Sequence, residues 1–131
     1  MRRFVVSLSA LALLPILCPK PAMAEGELLI YGGQNNRVFL GCINCDKSDP
    51  ASIFNKYGDY GSRFSSTSIF NRFGDYGSKF SNESICAAHG TNPPVVVDND
   101  GNFYGALTAN RSHKNLTRMN DLRMLVAVIC K

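Results

Sequence analysis

Two nearly identical 16-residue blocks stand in tandem and constrain this chain more than any other feature. Residues 52–67 read SIFNKYGDYGSRFSST, and residues 68–83 read SIFNRFGDYGSKFSNE. Eleven of the 16 positions are identical, and three of the other five are Lys/Arg or Tyr/Phe exchanges. A third block begins at Ser84-Ile85 and puts Cys86 where the others carry Phe54 and Phe70. Self-similarity at a fixed period marks a structural unit used more than once. Each unit is too short to bury a core alone, and two full copies make a paired insertion rather than a solenoid.

Each block has local logic. Ser65 and Ser68 are candidate caps before Ile69-Phe70-Asn71-Arg72-Phe73, and Gly74 can end the turn in a left-handed conformation. Asp75-Tyr76-Gly77-Ser78 then reads as a loop. One helical turn plus one loop per block is expected, with Ile53, Phe54, Ile69 and Phe70 in the core.

The flanks read as strands and a helix. Residues 27–31 (ELLIY) and 37–43 (RVFLGCI) are β-prone, and the turn-rich GGQNN lies between them. Val95-Val96-Val97 runs into Asp98-Asn99-Asp100-Gly101, a tight-turn signal, and NFYGAL returns over 102–107. The segments FLGCI (39–43) and FYGAL (103–107) align at an offset of 64, four block lengths, which hints at a duplication around the repeats. From Thr117, apolar Met119, Leu122, Met124, Leu125, Val126, Val128 and Ile129 oppose Arg118, Asp121 and Arg123, predicting a C-terminal helix. The expected class is α+β: a small antiparallel sheet from two β-hairpins, with the blocks across one edge or face and the helix on the other.

Residues 1–24 read as a signal peptide. Arg2 and Arg3 precede an apolar stretch over 4–17, and Ala22-Met23-Ala24 is a small-x-small cleavage site. The mature domain, 25–131, then has 107 residues and no further segment suited to spanning a bilayer. The leader removes Arg2, Arg3 and Lys20, so 11 basic residues face 10 acidic ones and the net charge falls from +4 to +1. Without clustered basic residues, nucleic acid is not an expected partner.

Four cysteines remain: Cys42, Cys45, Cys86 and Cys130. An even count in an exported chain predicts two disulfides. Cys42-Ile43-Asn44-Cys45 is a CxxC, yet a zinc site needs two more ligands at matching spacing, and a redox dithiol belongs at a helix N-terminus. Residues three apart in an extended segment face opposite ways, so Cys45–Cys86 and Cys42–Cys130 are the expected bridges. The first would bracket both blocks.

No reactive constellation stands out. Asp98-Asn99-Asp100-Gly101-Asn102 looks like a calcium loop, but position 107 is Leu where an EF-hand has its bidentate Glu. His89 and His113 are the candidates for a general base, and no Ser-based triad spacing accompanies them. A glycosidase needs two carboxylates in different environments, whereas Asp59 and Asp75 are equivalent by repetition. No catalytic residue, metal or cofactor is assigned.

The aromatic residues are more suggestive. Phe54, Tyr57, Tyr60 and Phe64 recur as Phe70, Phe73, Tyr76 and Phe80. Tyr57, Asp59, Tyr60, Phe73, Asp75 and Tyr76 are the candidate ligand-binding residues, because aromatic faces beside Asp, Asn and Ser suit glycans or extended peptides. The pattern S-I-x-N-x-Y-G-x-Y-G-S-x-[FY]-S resembles a repeat of short exported bacterial proteins of uncharacterised function. The flanking Phe39-Leu40-Gly41 and Asp100-Gly101-Asn102-Phe103-Tyr104-Gly105 resemble the strands beside it there. Other members often carry Pro after the Asn, where this chain has Lys56 and Arg72. The resemblance spans about 37–110 and implies an exported bacterial domain, without catalytic residues. The expectation is a non-enzymatic binding or structural module, periplasmic or extracellular, whose partner the sequence does not identify, a cell-envelope component such as a glycan or peptide, or a protein, being the candidates. A small cell-wall-directed hydrolase, or an inhibitor of one, is the alternative.

Overall fold

The computed structural model describes residues 26–131; the expected leader, 1–24, and its cleavage site lie outside the described residues. Four short strands, β1 (Leu29–Gly32), β2 (Val38–Cys42), β3 (Val95–Val97) and β4 (Phe103–Ala106), form one antiparallel sheet in the order β2-β1-β3-β4. One α-helix, α1 (Asn120–Ile129), follows, giving an α+β architecture. Among the described residues, no helix is long and apolar enough to cross a membrane.

The strands follow from alternation. Ile30 on β1 and Val96 on β3 are fully buried, while Leu29, Tyr31, Val95 and Val97 are half-buried, the two-residue period of a sheet with one well-covered face. Between β1 and β2, Gly33, Asn35 and Asn36 all take positive φ, which Gly and Asn tolerate best. Between β3 and β4, the Asp98 carboxylate organises the turn. Its Oδ1 accepts the N–H groups of Asp100 and Asn102, each at 2.9 Å, and its Oδ2 accepts Asn102 Nδ2 and the Tyr104 hydroxyl, each at 2.8 Å. The Asn102 amide foremost, helped by the Tyr104 hydroxyl and the two N–H groups, outweighs desolvation and holds the carboxyl down at about 2. These residues serve the turn, which accounts for the calcium-like spelling.

The offset of 64 extends well beyond five residues. The Cys42 N–H donates to Ala51 O and the Ile53 N–H to Cys42 O; the Ala106 N–H donates to Asn115 O and the Thr117 N–H to Ala106 O, at matching distances of 2.7 and 3.0 Å. Side chains repeat the correspondence: Asp46 and Asp49 accept the N–H groups two residues ahead, as do Asn110 and His113. Gly41 and Gly105 both take positive φ beside a register shift. The pairs Leu29↔Val97, Ile30↔Val96 and Tyr31↔Val95 place the two halves about a pseudo-twofold centre at Ile30 and Val96.

The blocks hold no helix. From 49 to 84 the chain is a coil of successive β-turns, in which an N–H donates to the carbonyl three residues back: Ser52 to Asp49, Asn55 to Ser52, Gly58 to Asn55, and onward through Ser65, Ser68, Asn71, Gly74, Ser81 and Ser84. Most first residues of these triads are Ser or Asn, and the side-chain oxygen accepts the N–H two residues ahead, as Ser68 does from Phe70 at 3.1 Å and Asn71 from Phe73 at 3.0 Å. Such local bonds offer the backbone an alternative to the helical ladder. The expected caps therefore act, but each closes a turn instead of opening a helix. Sixteen is one more than five triads, and Gly61 and Gly77 take up the extra residue. A Cβ on Gly61 would press on the Asn55 carbonyl, and one on Gly77 on that of Asn71.

Inward positions recur every eight residues, at Ile53, Gly61, Ile69, Gly77 and Ile85, all buried. The three isoleucines share one core with Ile30, Leu40, Val96 and Leu107, and with Leu122 and Val126 of α1. Coil and helix thus meet in the same core instead of covering opposite faces. Phe54 is 41% exposed and Phe70 half-buried, so the isoleucines rather than the phenylalanines anchor the blocks. On α1, Met124 and Val128 remain exposed despite their apolar character.

The disulfides are Cys42–Cys45 and Cys86–Cys130, in place of the expected Cys45–Cys86 and Cys42–Cys130. Cys42 and Cys45 do not face opposite ways, because β2 ends at Cys42 and the chain bends at once, bringing the two Cα atoms to 5.6 Å. Cys86–Cys130 joins the third block to the end of α1. Both bridges fit an oxidising, non-cytoplasmic environment.

Candidate functional site

The triads sort the aromatic side chains. In each triad the second and third residues stand at the corners of the turn. Tyr57, Phe64, Phe73 and Phe80 occupy third positions and are 94–100% exposed. Each directly follows a basic residue, Lys56, Arg63, Arg72 or Lys79. The other third-position rings, Phe54, Tyr60, Phe70 and Tyr76, follow Ile or Asp and are more covered. Outward rings thus follow a cation in the sequence, while Asp59 and Asp75 precede inward rings.

The six residues singled out from the sequence do not form one site. Tyr57 and Phe73 are fully exposed, and Asp59 and Asp75 lie on the surface. Tyr60 is half-buried, its ring edge-on to Phe39 at 4.9 Å, and Phe39 in turn meets Tyr31 at 5.5 Å. Tyr76 belongs to the core and lies against Gly32 and Gly33. Burial, with lesser contributions from the carboxylates of Glu83 and Asp75, raises its phenol pKa above the ordinary value. The Asp-Tyr-Gly-Ser loops are therefore anchors. Phe64, Phe80 and the four basic residues complete the outward set, and the signal that finds them is the basic-aromatic dipeptide.

Two adjoining grooves run along this side of the coil. One, of about 400 Å³, is lined by Phe54, Lys56, Phe64 and Phe70; the other, of about 730 Å³, by Phe64, Phe70, Arg72, Phe73 and Val128. The second reaches α1, where Arg72 donates to the Lys131 carbonyl at 3.2 Å.

The other candidates are engaged structurally. His113 accepts the Asn115 N–H through Nδ1 at 3.2 Å, so its imidazole closes a turn. His89 lies in a groove with Ala88, Ala109, Asn110, Arg111 and Ser112, none of them acidic. Glu27, Cys42 and Cys45 converge, but both sulfurs are committed to the bridge. Compared with protein-family models, curated proteins and solved structures, the chain finds no match.

Proposed function

We propose that this chain is a non-enzymatic exported binding module whose contact surface is the outer edge of the turn coil. The observation that carries this reading is the set of four outward rings, the equivalent pairs Tyr57 with Phe73 and Phe64 with Phe80, on a disulfide-stapled scaffold. Apolar rings held in water by a rigid frame are characteristic of interaction surfaces. The two bridges and the leader-like N-terminus support export, with an envelope component as partner. Capture on cell-envelope fractions tests the reading: Tyr57→Ser with Phe73→Ser should abolish capture without shifting the melting temperature. Capture unchanged by these substitutions would remove the surface from consideration. Intact mass should show a chain beginning at Glu25 without free thiols.

A further inference from the structure

We infer that the partner is the headgroup surface of an anionic phospholipid bilayer, on which the module docks without spanning it. The inference rests on the outer edge of the coil being the contact surface and names what it contacts.

Each contact unit is a basic residue followed by a fully exposed ring: Lys56-Tyr57, Arg63-Phe64, Arg72-Phe73 and Lys79-Phe80. Side chains of this mixed kind suit a bilayer interface, where rings enter the headgroup and acyl boundary and ammonium or guanidinium groups meet phosphate. Three of the four rings are Phe, which has no polar edge to hydrogen-bond a sugar. That composition favours an apolar acceptor over a glycan. Asp59, Asp75 and Glu83 are interleaved with these cations along the coil, but the basic residues are the ones directly beside the exposed rings and so the ones that would meet an anionic surface. The +1 balance of the mature chain means attraction must come from this local set rather than from overall charge. The rings also sit on turns closed by backbone and side-chain hydrogen bonds, so little ordering accompanies docking.

Co-sedimentation of the oxidised protein with vesicles tests the inference. Vesicles containing phosphatidylglycerol should bind it and pure phosphatidylcholine vesicles should not, with binding falling as salt rises. Phe64→Ser, Phe73→Ser and Phe80→Ser should each weaken partition about tenfold, and each Lys or Arg to Gln change about fivefold. Phe103→Ser, on β4, should leave binding unchanged. The variants should keep the parent's melting temperature, since every altered side chain is exposed. Equal binding to both vesicle types, or binding indifferent to the three Phe substitutions, overturns the inference. Displacement by single-stranded DNA that binds more tightly than the vesicles also overturns it, as does self-association through the same rings. If vesicles fail while envelope capture still depends on Tyr57 and Phe73, the lipid assignment falls and the binding module stands. If both fail, both fall.

Discussion

Residues 39–53 and 103–117 run through the same strand, bulge, turns and parallel bridge, and then the chain does two different things. After Ser52-Ile53 the first copy continues as a coil of turns; after Leu116-Thr117 the second passes into α1. Side-chain acceptors make the difference. Downstream of Ile53, Ser, Asn or Gly recurs at the head of each triad and every few residues a turn closes. Beyond Thr117 the spacing is kept once more, by Asn120, after which no Ser, Asn or Gly follows, and Leu122, Leu125, Val126 and Ile129 supply the spacing of an apolar helical stripe. Thr117 is the last acceptor of the kind, taking the Met119 N–H at 3.2 Å just before the helix. A few hydroxyls and amides decide between coil and helix on an otherwise shared frame.

Glycine substitutions test whether the two halves are strained alike. Gly105→Ala combines a positive φ with a Cβ 2.6 Å from the Thr117 backbone, and should cost about 3 kcal/mol or more. Gly41→Ala meets the Ile53 side chain at the same distance and should cost somewhat less, because a side chain yields more readily than backbone. Gly101→Ala has open space around it and should cost only about 1 kcal/mol for its positive φ. Urea unfolding would rank them, and Gly105→Ala behaving like Gly101→Ala would break the correspondence.

The disulfides come next. Cys86–Cys130 joins residues 44 apart, and its removal as a Cys→Ser pair should cost roughly 4 kcal/mol in the chain-entropy account. Cys42–Cys45 closes a loop of three and should cost roughly 2 kcal/mol. Ala106 stands at the position of Cys42 in the second half without any bridge, so the smaller value is the one the comparison demands.

Within the coil, Asn71→Ala removes the acceptor for the Phe73 N–H and the donor to Ser65 O, and should cost about 1–2 kcal/mol by thermal melting. An unchanged midpoint would mean that the triads do not depend on their side-chain acceptors.

The smallest effect concerns pH. The Asp98 carboxyl is held down at about 2 in the folded chain, below the ordinary 3.8. Its contribution is complete above about pH 4 and is lost as pH falls towards 2. The loop between β1 and β2 has no carboxylate, so Asp98→Asn should flatten the acid limb of a stability-pH curve, which no change at Asn35 or Asn36 should do.

Much of this was legible in the sequence. Val95-Val96-Val97 followed by Asp98 and Gly101, and the apolar spacing after Thr117, point directly to a sheet and a terminal helix. The three-residue period was hidden, because 16 is not a multiple of three and the glycines at 61 and 77 reset its phase in every block. Cys42–Cys45 was hidden because the end of β2 is set by the bend after Cys42, which no residue type announces. Tyr76 reads as a loop residue beside Asp75 and glycine, and its packing against Gly32 and Gly33, distant in the chain, is a contact that the local sequence does not announce.

The coil's bonds are almost all short-range, and this bears on the order of assembly. β1 and β3 are adjacent in the sheet but 66 residues apart in the chain. Closing so long a gap from a disordered chain is slow. Turns that form from neighbours three residues apart shorten it first, since each needs no distant partner. The coil is therefore expected to form before Val96 meets Ile30 and before Cys86–Cys130 closes.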